Sequence, residues 1–291
     1  MTDEYKKLTQ RQHVYELPDS YVGSVAVEKT TMLVAPSCRS KPYQKEIDIV
    51  PALFKIYDEV LVNAIDQHTR RKTRSGKVTE IRITVTAREI KVENNGEGIP
   101  IKRMAKYDNI YIPELIFGHL LTSSNYAVKG KTTTKITGGK NGFGAKLANI
   151  FSSEFEVETT WKGKMYRQKF GDNMKMISEP VVKPVDLTKA DGTSIRFRPD
   201  LERFGLEEIS NDVIDLFRRR AWDTAAWCCE DVDVWFNEER IQCANFREYC
   251  ELISEDNPLV HLQVNKKWEI GASTNDNEIF EHMSLVNGIN T

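Results

Sequence analysis

Between residues 52 and 71 apolar residues fall on almost every side of a helical wheel: Leu53, Phe54, Ile56, Tyr57, Val60, Leu61, Val62, Ala64 and Ile65. That spread predicts a helix buried over most of its circumference. Pro51 precedes it and suits a first helical turn. Four polar residues interrupt the apolar surface, Glu59, Asn63, Asp66 and Arg70. At 3.6 residues per turn they stay within about 60° of one another around the axis. A line of carboxylate, amide, carboxylate and guanidinium along such a helix is costly unless something binds there. The plainer alternative is two i,i+4 pairs, Glu59–Asn63 and Asp66–Arg70, on an exposed face.

The period then changes from helical to alternating. Residues 80–86 alternate strictly, and residues 89–93 alternate again, which predicts two half-buried strands in a hairpin. They run into Asn94-Asn95-Gly96-Glu97-Gly98-Ile99-Pro100, a string that cannot continue a strand. Elsewhere the pattern predicts a polar N-terminal arm with a short helix over 1–24 and one or two strands in 25–50. A helix over 111–121 precedes a long loop rich in Lys, Thr and Gly over about 122–144, and a helix runs on to 151. Strands are expected at 154–161, 164–170, 193–198 and 232–236, helices at 209–228 and 244–254, and strand-like segments at 268–271 and 283–287. No internal repeat or low-complexity linker is visible.

Composition narrows the class. A chain of 291 residues, 40% hydrophobic and 29% charged, fits a soluble globular protein of one large or two ordinary domains. The formal net charge of −2 supplies no overall basic field, which argues against this segment being the main holder of nucleic acid. Five cysteines with no CxxC pair speak against a disulfide framework or a zinc site and for a reducing, intracellular compartment. The N-terminal residues lack the apolar core of a signal peptide, and no apolar run is long enough for a membrane span.

Three constellations carry chemistry. Glu59 is the candidate general base, able to orient a water for attack on a phosphoryl group. Asn63, one turn on, offers an oxygen to Mg²⁺ between phosphates, or donors to the phosphates themselves. Asn94 closes a strand where an amide can meet a purine edge, and the glycines after it let the backbone approach a flat ligand; a plain glycine turn is the alternative. Third, Thr137-Gly138-Gly139-Lys140-Asn141-Gly142-Phe143-Gly144-Ala145-Lys146 runs into an apolar helix, as a phosphate-cradling lid would. A glycine loop without a ligand is the alternative, and the string is neither a Walker A loop nor a Rossmann fingerprint. Ser123, Ser124 and Asn125 could donate to ribose or phosphate or cap a helix. Arg218, Arg219 and Arg220 read as a solvated face or a helix–helix ion-pair set, with DNA contact as a further option. The five histidines show no metal spacing.

In this order, Glu-x-x-x-Asn on a helix, a strand ending in Asn-x-Gly-x-Gly and a glycine-rich lid before a helix, the constellations resemble the GHKL ATPases. That group includes gyrase-type topoisomerases, chaperones, histidine kinases and mismatch-repair ATPases. Longer strings resemble the eukaryotic-type DNA topoisomerase II (type IIA) family: residues 18–24, 53–64, 110–125, 137–146, 218–223 and 264–271. The resemblance implies an α/β (α+β) fold, a two-layer Bergerat sandwich with a mixed, mostly antiparallel sheet, over residues 1–243. The start of a ribosomal-S5-like transducer domain would occupy 244–291.

The resemblance also implies roles. Glu59 would be the catalytic base and Asn63 the Mg²⁺ ligand, with Asp66 and Arg70 lining the site. Asn94 would meet the adenine amino group, Ile99 would pack on the base and Thr193 would lie under it. Ser123, Ser124 and Asn125 would contact ribose and phosphate, and Lys140, Asn141, Gly142, Phe143, Gly144, Ala145 and Lys146 would wrap the triphosphate. The cofactors implied are ATP and Mg²⁺; the partners are DNA through a longer enzyme and a second copy on ATP binding, at a nuclear or viral DNA-replication site.

Departures are visible too. Asn94 stands where the bacterial branch has Asp, Lys140 where an Arg is common, and Leu17 where an Arg precedes Pro-Asp. No Gln-Thr-Lys loop, acidic metal-binding domain or DNA-cleaving Tyr occurs before Thr291. The chain therefore reads as an ATPase fragment of an enzyme that changes DNA topology, expected to bind ATP with weak or no hydrolysis alone. The rivals are a nucleotide-gated dimerisation module without turnover and another GHKL ATPase of the chaperone type.

Overall fold

A computed structural model describes residues 7–71, 76–120, 143–254, 257–265, 268–274 and 282–290. The chain opens with α1 (Gln10–Glu16), β1 (Glu28–Val34), β2 (Tyr43–Ile49) and α2 (Pro51–Arg71). Next come β3 (Glu80–Val85), β4 (Ile90–Asn95), β5 (Arg103–Met104), β6 (Ile110–Tyr111), α3 (Ile112–Gly118) and α4 (Gly144–Ile150). Then follow β7 (Ser152–Trp161), β8 (Lys164–Gly171), β9 (Met176–Ile177), β10 (Val181–Pro184), β11 (Gly192–Pro199) and α5 (Asn211–Cys228). The last elements are β12 (Asp233–Phe236), β13 (Glu239–Arg240), α6 (Phe246–Ile253), β14 (Leu259–Asn265), β15 (Trp268–Ser273), β16 (Leu285–Val286) and β17 (Ile289–Asn290).

The central sheet has nine strands in the order β10-β8-β7-β11-β4-β3-β12-β13, with β9 added to β8. Its pairings are antiparallel except β12 on β3, which is parallel. This is the mixed, mostly antiparallel α/β sheet that the alternation and the family resemblance lead one to expect. Alternation does its work row by row: Ile83, Val92, Ile195 and Val157 stand in register across β3, β4, β11 and β7, and the next row holds Val85, Ile90, Phe197, Phe155 and Phe170. All of these are buried, and α2, α4 and α5 contribute Leu53, Ile56, Leu61, Leu147, Ile150, Phe217 and Trp222 to the same core. The opposite face carries Glu89, Glu156, Arg167, Arg196 and Arg198 in mutual ion pairs, as a solvated antiparallel face does.

Local signals explain the boundaries. Thr9 and Gln12 form a capping box at α1, and the Ser210 and Asn245 side chains accept from Val213 N and Glu248 N at the starts of α5 and α6. The segment 25–50, where one or two strands are expected, holds two, the antiparallel pair β1–β2. The helix expected over 111–121 is shorter: it starts at Ile112 with Pro113 in its first turn and ends at Gly118, whose Cα lies against the Phe170 ring. Strands β5, β6, β9 and β10 carry no period to detect, being two to four residues long and, for β10, ending in Pro184 on an exposed edge. The strand-like 283–287 segment is a two-residue strand, β16, paired with β17 about the left-handed turn Asn287-Gly288.

Candidate functional site

Helix α2 is buried on every side but one. Val62 and Ala64 are buried, and Asn63 between them is exposed. Asp66 lies deep in the line and Arg70 at its outer end, their Oδ2 and Nη2 separated by 3.7 Å. Glu59 turns back to Lys55, whose Nζ stands 2.7 Å from Oε1. The pair Asp66–Arg70 thus exists, but on the wall of a crevice and not on a solvated face. The other side of that crevice is α4: a Cβ built at Gly144 would stand 2.5 Å from Glu59 Oε2. A side chain at this position would push the Glu59 carboxylate aside.

The floor of the crevice is a polar row on an otherwise apolar sheet face. Asn94, Thr193 and Thr159 are register partners across β4, β11 and β7, one step beyond the Val92–Ile195–Val157 row. Thr159 Oγ1 sits 3.1 Å from Thr193 Oγ1, donates to the Gly192 carbonyl at 2.9 Å and accepts from Ile99 N at 2.9 Å. Asn94 Nδ2 donates to the Asn95 carbonyl at 2.8 Å, which leaves its Oδ1 as the acceptor of the amide. Asn95 is structural: its Oδ1 accepts from Thr79 N and Glu80 N. The loop after Asn94 needs both glycines. Gly96 has φ +92°, and a Cβ at Gly98 would stand 1.9 Å from the Thr160 carbonyl oxygen. Gln67 Nε2 donates to the Glu97 carbonyl at 2.8 Å and so fastens this loop to α2.

Of the residues singled out in the sequence, Glu59, Asn63, Asp66, Arg70, Phe143, Gly144, Ala145 and Lys146 lie along α2 and the start of α4, and Asn94, Ile99 and Thr193 at the sheet end. Ser123, Ser124, Asn125, Lys140, Asn141 and Gly142 lie outside the described residues. Lys146 is buried, and loss of solvent lowers its ammonium pKa from 10.5 to about 8. Phe143 packs its ring 5.7 Å from that of Tyr21 in the N-terminal arm, and Asn149 Nδ2 on α4 donates to the Phe117 carbonyl on α3 at 2.9 Å. Thr159 and Gln67 were missed in the sequence. Thr159 has no local signal, because only strand register brings it beside Thr193. Gln67 sits next to Asp66, just off the polar line.

The arginine triplet is not a solvated face. Arg219 and Arg220 are buried. Arg220 Nε donates to Asp58 Oδ1 on α2 at 2.7 Å, so the helix–helix ion pair is the reading that holds. Arg219 pairs with Asp223, to which the Tyr249 hydroxyl also donates. No cluster of three or more His, Cys, Asp or Glu able to hold a metal ion occurs among the described residues. Among them, too, no helix is long and apolar enough to cross a membrane.

Comparison with known proteins agrees with this geometry. Residues 49–203 match the family described as histidine kinase-, DNA gyrase B-, and HSP90-like ATPase. The chain is 40% identical to DNA topoisomerase 2 of Candida albicans over 312 residues, covering 100% of this chain and 21% of that protein. It is 40% identical to DNA topoisomerase 2 of Drosophila melanogaster over 297 residues, covering 99% of this chain and 20% of the relative. The chain thus spans about a fifth of the length of these relatives. Among solved structures it superposes on the ATPase region of Saccharomyces cerevisiae topoisomerase II with a TM-score of 0.92 at 38% identity, covering 100% of this chain and 75% of that one. The ATPase and transducer domains of Balamuthia mandrillaris DNA topoisomerase II give 0.91 at 38%, covering 99% and 72%. The 43K ATPase domain of Thermus thermophilus gyrase B gives 0.62 at 19%, covering 90% and 61%, a likeness of fold alone.

Proposed function

We propose, since this chain belongs to the histidine kinase-, DNA gyrase B-, and HSP90-like ATPase family and within it to the ATPase region of the eukaryotic type II DNA topoisomerases, that its crevice binds and hydrolyses ATP to drive a gate for DNA strand passage. The observation that carries this is the polar row Asn94–Thr193–Thr159, in register at the end of an apolar sheet face and roofed by the helix that bears Glu59. An adenine amino group would donate to Asn94 Oδ1, with Thr193 beneath the base and Ile99 against it. Ser123, Ser124 and Asn125 would reach ribose and phosphate, and the segment from Lys140 to Lys146 would close on the triphosphate. Asp66 and Arg70 would line the wall.

Glu59 would act as the base that aligns the attacking water. Its contact with Lys55 is partly exposed and therefore weak, so a water bound between Glu59 and a terminal phosphate can take Lys55's place. The donor set for Mg²⁺ is thin: the exposed amide oxygen of Asn63 is the one neutral oxygen ligand on the α2 line. That fits a metal carried in by phosphates and held by one protein ligand, not a protein cage. When bound, Mg²⁺ would neutralise charge on the phosphate oxygens.

The whole enzyme's behaviour follows as a proposal from the relatives. Residues 1–243 would form the ATPase domain and 244–291 the start of the transducer. ATP would favour a closed homodimer by binding it more tightly than the open monomers, and hydrolysis would reopen it around a DNA segment. The compartment would be wherever that DNA lies, the nucleus for a cellular enzyme.

In a longer enzyme that carries the rest of the transducer, Glu59→Gln should bind a non-hydrolysable ATP analogue as the parent does, and should lose at least about 100-fold in phosphate release. Equal phosphate release from parent and variant would remove Glu59 as the base. A longer parent enzyme that binds nucleotide and releases no phosphate would favour a dimerisation module without turnover.

A further inference from the structure

Arg220 is a buried charge that the ATPase reading leaves without a task. It is 2% exposed on α5 and sends its guanidinium to two separate parts of the chain. Nε donates to Asp58 Oδ1 on α2 at 2.7 Å, and Nη2 donates to the Gly288 carbonyl in the turn between β16 and β17 at 2.6 Å. Nη1 reaches Thr224 Oγ1 at 3.4 Å. The turn itself rests on α2 and α5, since a Cβ at Gly288 would stand 2.6 Å from Ile65 Cγ2 and 3.3 Å from the Trp227 ring. Beside this link Tyr57 stacks on Phe217 at 4.2 Å and donates its hydroxyl to the Phe217 carbonyl at 3.0 Å.

Apolar side chains could hold α2 against α5 as firmly as a buried ion pair, because removing two charges from water offsets most of their attraction. What the pair adds is direction. A guanidinium is a rigid planar fork whose donors bind at fixed angles. Asp58 and Glu59 are adjacent in one helix and point about 100° apart. The fork therefore fixes α2 from the α5 side while Glu59 faces α4.

We infer that Arg220 is a positioning residue for the reaction at Glu59, acting through Asp58, and that the turn at Gly288, held by the same fork, sets that position. The inference rests on the reading of the crevice as an ATPase site. A side chain on α2 lies about 5–6 Å from the helix axis, so a rotation of about 10° moves the Glu59 carboxylate by about 1 Å. An error of that size at a catalytic group lowers a rate about 100-fold. Displacing the Gly288 carbonyl leaves a buried N–H without its acceptor, so the fork swings after it and takes Asp58 along. Movement in the 282–290 segment is thereby converted into a change in hydrolysis larger than the change in nucleotide affinity, because the adenine row lies on the sheet while Glu59 rides on α2.

The test, made in a longer enzyme that carries the rest of the transducer, uses Arg220→Lys, which keeps a cation and loses the fork, and Gly288→Ala, which disturbs the turn without touching the ion pair. Arg220→Met, apolar and of similar length, serves if the lysine variant does not fold. Thermal unfolding followed by circular dichroism establishes which variants are folded. Two quantities are then compared with the parent: the Kd of a fluorescent non-hydrolysable ATP analogue, and the rate of a single turnover of bound ATP with Mg²⁺. We expect Kd to stay within about twofold. The single-turnover rate should fall about 10- to 100-fold in both single variants, and the double variant should be no slower than the slower single. A folded Arg220 variant that turns over at the parental rate overturns the inference. So do rate and affinity falling together, additive losses in the double variant, or a parent that binds the analogue without any turnover. A parent that does not bind the analogue at all overturns the ATPase reading itself.

Discussion

Lys146 shows how one residue ties fold to ligand. Its ammonium is buried at the start of α4, and desolvation lowers its pKa to about 8 from an ordinary 10.5. In the free chain that burial costs stability below pH 8, where folded and unfolded states both carry the charge. Between about pH 8 and 10.5 the unfolded chain holds more protons than the folded one, so stability rises with pH through that window. A phosphate beside Lys146 would reverse the balance by favouring the charged form, so nucleotide binding would take up a proton in the same range. The affinity for an ATP analogue should therefore be level below about pH 8 and weaken steadily above it. Lys146→Met should remove that pH dependence and weaken binding about 10- to 100-fold, the worth of a charge-assisted hydrogen bond of about 1.5–3 kcal/mol. Calorimetric titration in buffers of different ionisation enthalpy reads the proton uptake directly. An unchanged pH profile in Lys146→Met would separate this lysine from the nucleotide.

At the scale of elements, the loop that follows β4, beside the adenine row, depends on Gly98. Its Cα lies so close to β7 that a Cβ would meet the Thr160 carbonyl at 1.9 Å and Thr159 Oγ1 at 2.8 Å. Backbone against backbone cannot yield by changing a rotamer, so Gly98→Ala has to lift the loop from the sheet. Overpacking of this kind costs about 1–3 kcal/mol, which urea unfolding would register as a lower midpoint at unchanged slope. Gly171→Ala is the matched control, since its nearest neighbour would be Ser153 O at 3.7 Å, an ordinary contact. The lifted loop carries Ile99 away from Thr159, so nucleotide affinity should fall with stability in Gly98→Ala and stay level in Gly171→Ala. The sequence made this loop legible because Gly96 and Gly98 follow an alternating strand. It also made α2 legible, where the apolar surface is broken only by the line from Glu59 to Arg70. Thr159 was hidden because its meaning comes from register: it is an ordinary threonine in β7 until β11 sets Thr193 beside it. Strand β14 was hidden for another reason. Val260, Leu262 and Val264 alternate as a strand should, but they stand exposed, so no packed partner marks a buried face. The arginine triplet left two readings open, a solvated face and a helix–helix ion-pair set, because a run of like charges carries no sign of its partners; in the fold Arg219 and Arg220 each find a carboxylate.

The whole molecule bears on how such a chain would meet DNA. Its formal net charge is −2. The broad outer face of the sheet could have been a basic platform, but its cations are already matched: Arg196 and Arg198 with Glu89, Arg198 with Glu154, and Arg167 with Glu156. DNA affinity of the sequence-independent kind comes from cations that replace counterions on phosphates, and a cation paired within its own sheet releases few. In the proposed reading DNA would be handled through a nucleotide-operated gate, and the surface charge agrees that this chain need not grip it. The 291-residue chain should therefore bind a short duplex with a Kd of about 10⁻⁴ M or weaker at physiological salt, with a shallow dependence on salt concentration. Fluorescence anisotropy of a labelled duplex over a salt series measures both. Reversing the paired acids, Glu89→Lys with Glu156→Lys, frees Arg196 and Arg167, leaves Arg198 on Glu154 and adds two cations, which should tighten binding and steepen the salt slope by several units. Tight binding by the parent with a steep salt slope would instead mean that the outer-face pairs open to phosphate, and that this domain holds DNA as well as gating it.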